Sequence, residues 1–208
     1  LGLPSKGVDY VVARLARDPP PIPVAVNIAA LEPEGYPEVY RRVSGVASWV
    51  EVNVSCPNTV KHGTFERPEW VRRIIQGLKP LDESIPVLVK LPPVEDRDLL
   101  WEYADAVREA GADGVVASNT LKVRVDGVQA GLSGNRLYHI VYGMVRWFRE
   151  HLPGDMVVVG VGGIIDAERA IKIMEYADSI ELLTALLYYG PGRVREIVER
   201  VVAWLGKR

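Results

Sequence analysis

The residues best equipped for chemistry lie together in the segment Glu51-Val52-Asn53-Val54-Ser55-Cys56-Pro57-Asn58-Thr59. In an extended strand successive side chains alternate between faces, which puts Asn53 and Ser55 on one side and Val52 and Val54 on the other. Such a strand presents a carboxamide to one face and ends on a thiol at its rim. Two carboxamides flanking a thiol could hold a planar ligand with alternating donors and acceptors while the sulfur handles a proton. The plainer alternative is a buried inert thiol, with Asn53 and Asn58 capping backbone at a strand exit. Lys90 ends an apolar run, where an ammonium needs a partner or a path to water. Ser118-Asn119-Thr120 ends another run. Gly162-Gly163 and Leu183-Thr184 follow the last two, where barrel enzymes commonly cradle phosphate with backbone N–H groups and a helix N-terminus; a pure turn role is the alternative. His139 and His151 fall in helical or post-helical sequence and read as solvated. No His/carboxylate set has metal-ligand spacing, so no metal is expected.

The elements that would carry these residues are short Val/Ile/Leu-rich runs, each followed by a longer amphipathic stretch. Six runs stand out, at 23–29, 49–55, 86–91, 114–119, 156–160 and 180–185. Between them lie helix-period segments such as 98–110, ended by Gly111, and 167–176, opened by Asp166 as N-cap. The last, 194–205, places Val194, Ile197, Val198, Val201 and Leu205 on one face. Strands apolar on both faces alternating with helices predict an α/β fold with a parallel sheet. Polar or glycine residues sit at the C-terminal ends of five of the six runs. In a (β/α)8 TIM barrel they converge on one rim, whereas a Rossmann sheet would place a Gly-x-Gly-x-x-Gly after its first strand, and none is present. The barrel is therefore favoured, with about six of eight βα units in this sequence. Two further units at about 35 residues each would bring the chain to the usual barrel size of about 250.

Composition narrows the function classes. Of 208 residues, 25 are Lys or Arg and 27 are Asp or Glu, a net charge of -2. No long run of like charge offers a footprint for nucleic acid or an anionic membrane surface. No stretch is long and apolar enough for a membrane span, and Leu1 to Gly7 lacks the pattern of a signal peptide. One cysteine excludes an internal disulfide and fits a reducing, cytoplasmic compartment. The chain opens on Leu rather than Met, so these residues need not be the whole protein.

The Asn53-to-Asn58 segment resembles the catalytic loop of the dihydroorotate dehydrogenases, Asn-x-Ser-(Cys or Ser)-Pro-Asn, and the resemblance runs along nearly the whole chain in order. Leu1-Gly2-Leu3-Pro4 with Gly7-Val8-Asp9 is similar to the family's substrate loop, and Val89-Lys90-Leu91-Pro92-Pro93 to its flavin-lysine strand. Ser118-Asn119-Thr120, Gly131-Leu132-Ser133-Gly134, Gly160-Val161-Gly162-Gly163-Ile164 and Gly190-Pro191 complete the series. The resemblance implies a single FMN-binding TIM-barrel domain over 1–208 that oxidises dihydroorotate to orotate in pyrimidine biosynthesis. Cys56 would be the base that removes the C5 proton while the C6 hydride passes to flavin N5. Leu1, Gly2, Leu3, Asn53, Asn58, Asn119 and Thr120 would hold the substrate. Asn27, Asn53, Lys90, Ser118, Gly134, Gly162, Gly163, Leu183 and Thr184 would hold FMN, with Lys90 as a cation beside the ring. Asn27 and Ser118 could equally be satisfied core polar groups. Many family members carry Gly-Thr or Gly-Ser where this chain has Leu183-Thr184; a backbone donor survives, but no glycine-only conformation is available there. Lys61-His62-Gly63-Thr64-Phe65-Glu66 would lie in the mobile loop over Cys56, where His62 is either an acid/base partner or, as loop histidines more often are, an exposed residue without a role.

Family members with Ser at the Cys56 position carry a membrane-associated extension and reduce quinone, so Cys56 resembles the soluble forms. Of these, one kind is a homodimer using fumarate and another passes electrons to NAD through an iron-sulfur flavoprotein subunit. Val89 to Pro93 resembles the former and Asn119-Thr120 with Gly131 to Gly134 the latter, which leaves the acceptor open. The motif register places Leu1 in the loop after the second barrel strand, so the first two units, with a lysine contacting flavin and substrate, are expected to lie outside this sequence. Six strands are not expected to fold alone to a working state. Competing readings are a flavin dehydrogenase of another dihydropyrimidine, a flavin-free phosphate-binding isomerase or lyase, and a noncatalytic barrel scaffold.

Overall fold

A computed structural model describes residues 5–55 and 67–207. Six parallel strands form its sheet: β1 (Ala25–Ile28), β2 (Trp49–Asn53), β3 (Val87–Leu91), β4 (Gly114–Ala117), β7 (Val157–Val161) and β8 (Ser179–Glu181). Their spatial order is β1-β2-β3-β4-β7-β8, the order of the chain. Each crossover therefore carries a helix to the same outer face, and the sheet curls around the other face. The helices are α1 (Val8–Arg17), α2 (Tyr36–Val43), α3 (Pro68–Leu78), α4 (Arg97–Glu109), α5 (Tyr138–His151), α6 (Ala167–Met174) and α7 (Thr184–Leu205). Among the described residues, β1 and β8 each keep one edge without a partner strand.

Strand alternation sorts the side chains into two layers. Val50, Val52, Val87, Val89, Leu91, Val115, Ala117 and Val158 point outward and merge with the helices into one core. Leu88, Val116 and Val159 point into the curl and form a separate apolar floor against Trp49, Val157 and Val161. At the N-terminal end of the sheet, side-chain oxygens at the start of one strand accept the N–H that opens its neighbour. Ser48 takes Val24 N at 3.0 Å, Asp113 takes Val87 N at 2.7 Å and Asp178 takes Val158 N at 2.8 Å. That end is closed by structure, which leaves the C-terminal rim for function.

Several expectations hold in detail. Asp166 caps α6 by accepting from Arg169 N at 2.9 Å, and Gly111 ends the α4 region in a left-handed conformation with φ 75°. Others need correction. The sixth strand ends at Glu181, and Thr184-Ala185 already belong to α7, because the apolar run that continues to Leu187 has no period that separates strand from helix. The helix expected over 194–205 is the second half of α7, bent at Gly190 (φ 76°) before Pro191. Of the five residues placed on one face, Ile197 and Val201 are buried, whereas Val198 and Leu205, at its margin, are exposed. The antiparallel hairpin β5 (Leu121–Val125) and β6 (Val128–Leu132) was not anticipated. Its signal was present: Asp126-Gly127, both at positive φ, between alternating runs.

Candidate active site

The C-terminal rim gathers a chain of carboxamides from three strands. Parallel pairing sets Asn27 of β1 beside Glu51 of β2, and Asn53 of β2 beside Lys90 of β3. Asn53 donates to Asn27 Oδ1 at 3.3 Å, and Asn27 donates to Glu51 Oε2 at 3.1 Å. From the end of β4, Asn119 donates to Asn53 Oδ1 at 3.0 Å and to Ser55 Oγ at 3.1 Å. Ser55 Oγ in turn donates to the Lys90 carbonyl at 3.0 Å. The backbone beneath is fixed as well, since the buried Tyr36 hydroxyl donates to the Asn53 carbonyl at 2.8 Å. A polar network with this many internal partners holds its amides in one orientation, the property a ligand with alternating donors and acceptors requires.

Lys90 projects into the curl and is nearly buried, with 15% of its side chain exposed. Its ammonium lies 2.6 Å from Glu181 Oε2 on β8 and 3.9 Å from Glu51 Oε2 on β2. Burial pushes the Glu181 carboxyl up to about 7, with Lys90 opposing the shift and Glu51 adding to it. Sequence reasoning missed both carboxylates. Glu51 stood in view two residues before Asn53 on the same strand face, but nothing in the sequence brings Glu181 of β8 across the curl to Lys90 of β3.

A cleft beside this network is lined by Lys90, Ser118, Asn119, Thr120 and the glycine-bearing loops. Three loops are drawn together there. A Cβ on Gly163 (φ 72°) would sit 2.5 Å from Tyr138 N, so the turn after β7 presses on the start of α5. A Cβ on Gly134 (φ 83°) would sit 3.1 Å from Thr184 Cγ2, so the loop after β6 presses on the start of α7. Ser133 and Thr184 hydroxyls share a hydrogen bond of 3.1 Å, and Arg169, unremarked in the sequence, braces the Gly163 carbonyl at 3.0 Å. Leu183 gives α7 no side-chain cap, so first-turn N–H groups face the cleft side without an internal acceptor. A cation at one end and uncapped backbone donors at the other suit a ligand with an electron-accepting ring and a phosphate, and FMN fits that donor set.

The structure thus brings Asn27, Asn53, Lys90, Ser118, Asn119, Thr120, Gly134, Gly162, Gly163, Leu183 and Thr184 to one rim. Leu1, Gly2, Leu3, Cys56, Asn58 and His62 lie outside the described residues, although Ser55 carries the chain to the position immediately before Cys56. Among the described residues no cluster of His, Cys, Asp or Glu could hold a metal ion. Nor is any described helix long and apolar enough to cross a membrane.

A family profile described as dihydroorotate dehydrogenase matches residues 1–205. A "Dihydroorotate dehydrogenase (quinone)" of Halobacterium salinarum is 35% identical over 99% of this chain and 62% of its own length. A "Dihydroorotate dehydrogenase B (NAD(+)), catalytic subunit" of Methanopyrus kandleri is 35% identical over 89% of this chain and 63% of its own. The chain spans about three fifths of the length of such relatives. Among solved structures, a DHODH of Eimeria tenella in complex with ferulenol superposes with a TM-score of 0.86 at 23% identity, covering 99% of this chain and 66% of the other. That likeness is one of fold, the (β/α)8 barrel, to which this chain contributes six consecutive parallel strands.

Proposed function

Since the chain belongs to the dihydroorotate dehydrogenase family, we propose that it forms most of the active site of an FMN-dependent enzyme that oxidises dihydroorotate to orotate in pyrimidine biosynthesis. The observation that carries this reading is the Asn27-Asn53-Asn119-Ser55 network abutting the Lys90 cleft. Carboxamides on Asn53 and Asn119, with Thr120, match the alternating N–H and C=O groups of a dihydropyrimidine, and Asn58 and Leu1 to Leu3 would complete that set. Gly162, Gly163, Leu183 and Thr184 would hold the phosphate end of the cofactor, Gly134 would leave room for it, and Asn27, Ser118 and Lys90 would hold its ring. FMN, when bound, supplies the acceptor for the hydride from C6.

The chain's own task is then to orient the ring and move the C5 proton. Cys56 follows in sequence Ser55, whose hydroxyl accepts from Asn119, and the family resemblance assigns the thiol the role of base. A thiol ordinarily ionises near 8.5, close enough to neutrality to act as base with modest stabilisation of its thiolate. Lys90 would supply a cation to the ring end of the site, where it favours the reduced, more negative flavin.

The test is anaerobic bleaching of flavin absorbance in the full-length protein. Dihydroorotate should bleach it and dihydrouracil should not; Cys56→Ala should bind FMN yet lose rapid bleaching. A full-length preparation without flavin absorbance would refute the oxidoreductase reading, and rapid bleaching of Cys56→Ala would move the base elsewhere. Reoxidation of the bleached enzyme by fumarate, a quinone, or NAD with an iron-sulfur flavoprotein subunit then identifies the acceptor. Sedimentation of the same preparation reads whether it is a homodimer.

A further inference from the structure

The Lys90 ammonium stands between two carboxylates, Glu181, which lines the same cleft, and Glu51, which accepts from Asn27. Glu181 reaches it at 2.6 Å from β8, and Glu51 approaches to 3.9 Å from β2. The other oxygen of Glu181 is buried without a hydrogen-bond partner among the described residues. Below the three groups lies the floor of Leu88, Val116 and Val159, which offers no polar partner. Two ionised carboxylates against one ammonium leave a surplus negative charge, which so little solvent opposes poorly.

Resting on the FMN reading above, we propose that Glu181 is a positioning residue: with Glu51 it clamps the Lys90 ammonium across the barrel interior, and its charge sets how much positive potential Lys90 presents to bound FMN. With Glu181 protonated, Lys90 is opposed by Glu51 alone and the group is neutral. With Glu181 ionised, the cation is over-compensated. Burial places the exchange between these states at about 7, Lys90 opposing that shift and Glu51 adding to it. Among the described residues, the charged groups facing Glu181 are these two. From β4 and β7 the same face presents Val116, Val159 and Val161. Outside β8, Lys172 of α6 pairs with Glu168, Arg169 with Asp166 and Arg193 of α7 with Glu196, while Arg195, Glu199 and Arg200 of α7 are exposed.

The experiment is the midpoint potential of FMN in the full-length holoenzyme against pH, in wild type and Glu181→Gln. Glutamine keeps the size and the contact to Lys90 but stays neutral. Below about 7 the two potentials should coincide; above it, the wild type should fall progressively below the variant, since an ionised Glu181 opposes the charge gained on reduction. Potentials that coincide throughout, or differ by a constant offset, overturn the proposal and leave the flavin reading standing. A full-length protein that binds no FMN overturns both. The wild type offers a second measurement that needs no variant. An infrared carbonyl band of a protonated carboxylic acid should persist just below about 7 and disappear above it; its absence at the lower pH overturns the proposal.

Discussion

Alanine at Gly163 should damage both stability and FMN binding, through two costs that other glycines of this chain separate. Gly163 has φ 72°, and a Cβ there would lie 2.5 Å from Tyr138 N and 2.7 Å from Tyr138 Cα. Left-handed backbone costs an L-residue about 1–2 kcal/mol. The overlap is with helix backbone rather than a rotatable side chain, so the turn must withdraw from α5, a repacking worth about 1–3 kcal/mol more. Gly127 is the control: φ is 79°, but nothing lies within 4 Å of its Cβ position, so Gly127→Ala should cost only the first amount, about 1–2 kcal/mol. Gly134→Ala should fall between them, because its neighbour at 3.1 Å is a threonine methyl that can rotate. Chemical denaturation of the full-length apoprotein measures these differences, and fluorescence titration measures FMN affinity. Withdrawal of the turn that removes one charge-assisted hydrogen bond, about 1.5–3 kcal/mol, weakens Kd at least about tenfold. Gly127→Ala should leave Kd unchanged. If Gly163→Ala is no less stable than Gly127→Ala and binds FMN equally well, the close approach of the turn to α5 is not what demands glycine there.

Other perturbations divide along the same axis between rim and floor of the sheet. Asp113→Ala strips the acceptor from the buried Val87 N–H (2.7 Å) and the partner from Lys79 (2.9 Å); it should cost about 1–3 kcal/mol in a denaturant melt without changing FMN affinity, because it lies at the far end of the strands. Tyr36→Phe removes the donor to the Asn53 carbonyl and should raise KM for dihydroorotate more than it lowers stability, about 1 kcal/mol. Lys90→Met leaves Glu51 and Glu181 without their cation, a loss of about 3–5 kcal/mol at alkaline pH. A carboxyl raised in the folded state from 4.5 to about 7 contributes stability that is present below 4.5 and lost as pH rises to about 7. The Lys90→Met deficit should therefore shrink as the solution is acidified, and thermal melts across that range would expose an opposite slope.

Much of the candidate site could be read from residue types at strand ends. Asn53, Lys90 and Asn119 are polar residues closing apolar runs, which burial tolerates only where partners or ligands await them. The hairpin of β5 and β6 was equally legible through Asp126-Gly127, a turn pair between two alternating runs. The end of β8 was not legible. Leu182 to Leu187 is apolar at every period except Thr184, so only the packing of α7 onto α6 decides where strand stops and helix begins.

The sequence by itself determined the alternation of buried strands and amphipathic helices, the capping of α4 and α6, and the set of side chains facing the C-terminal rim. Those are local properties, written in periods of two and 3.6 residues and in the chemistry of Asp and Gly at helix ends. Tertiary structure alone decided which of those side chains meet. Lys90 and Glu181 stand 91 positions apart in the chain and on strands separated in the sheet by β4 and β7. They touch because the sheet curls, and its curl comes from strand twist accumulated over six strands rather than from any residue near either group.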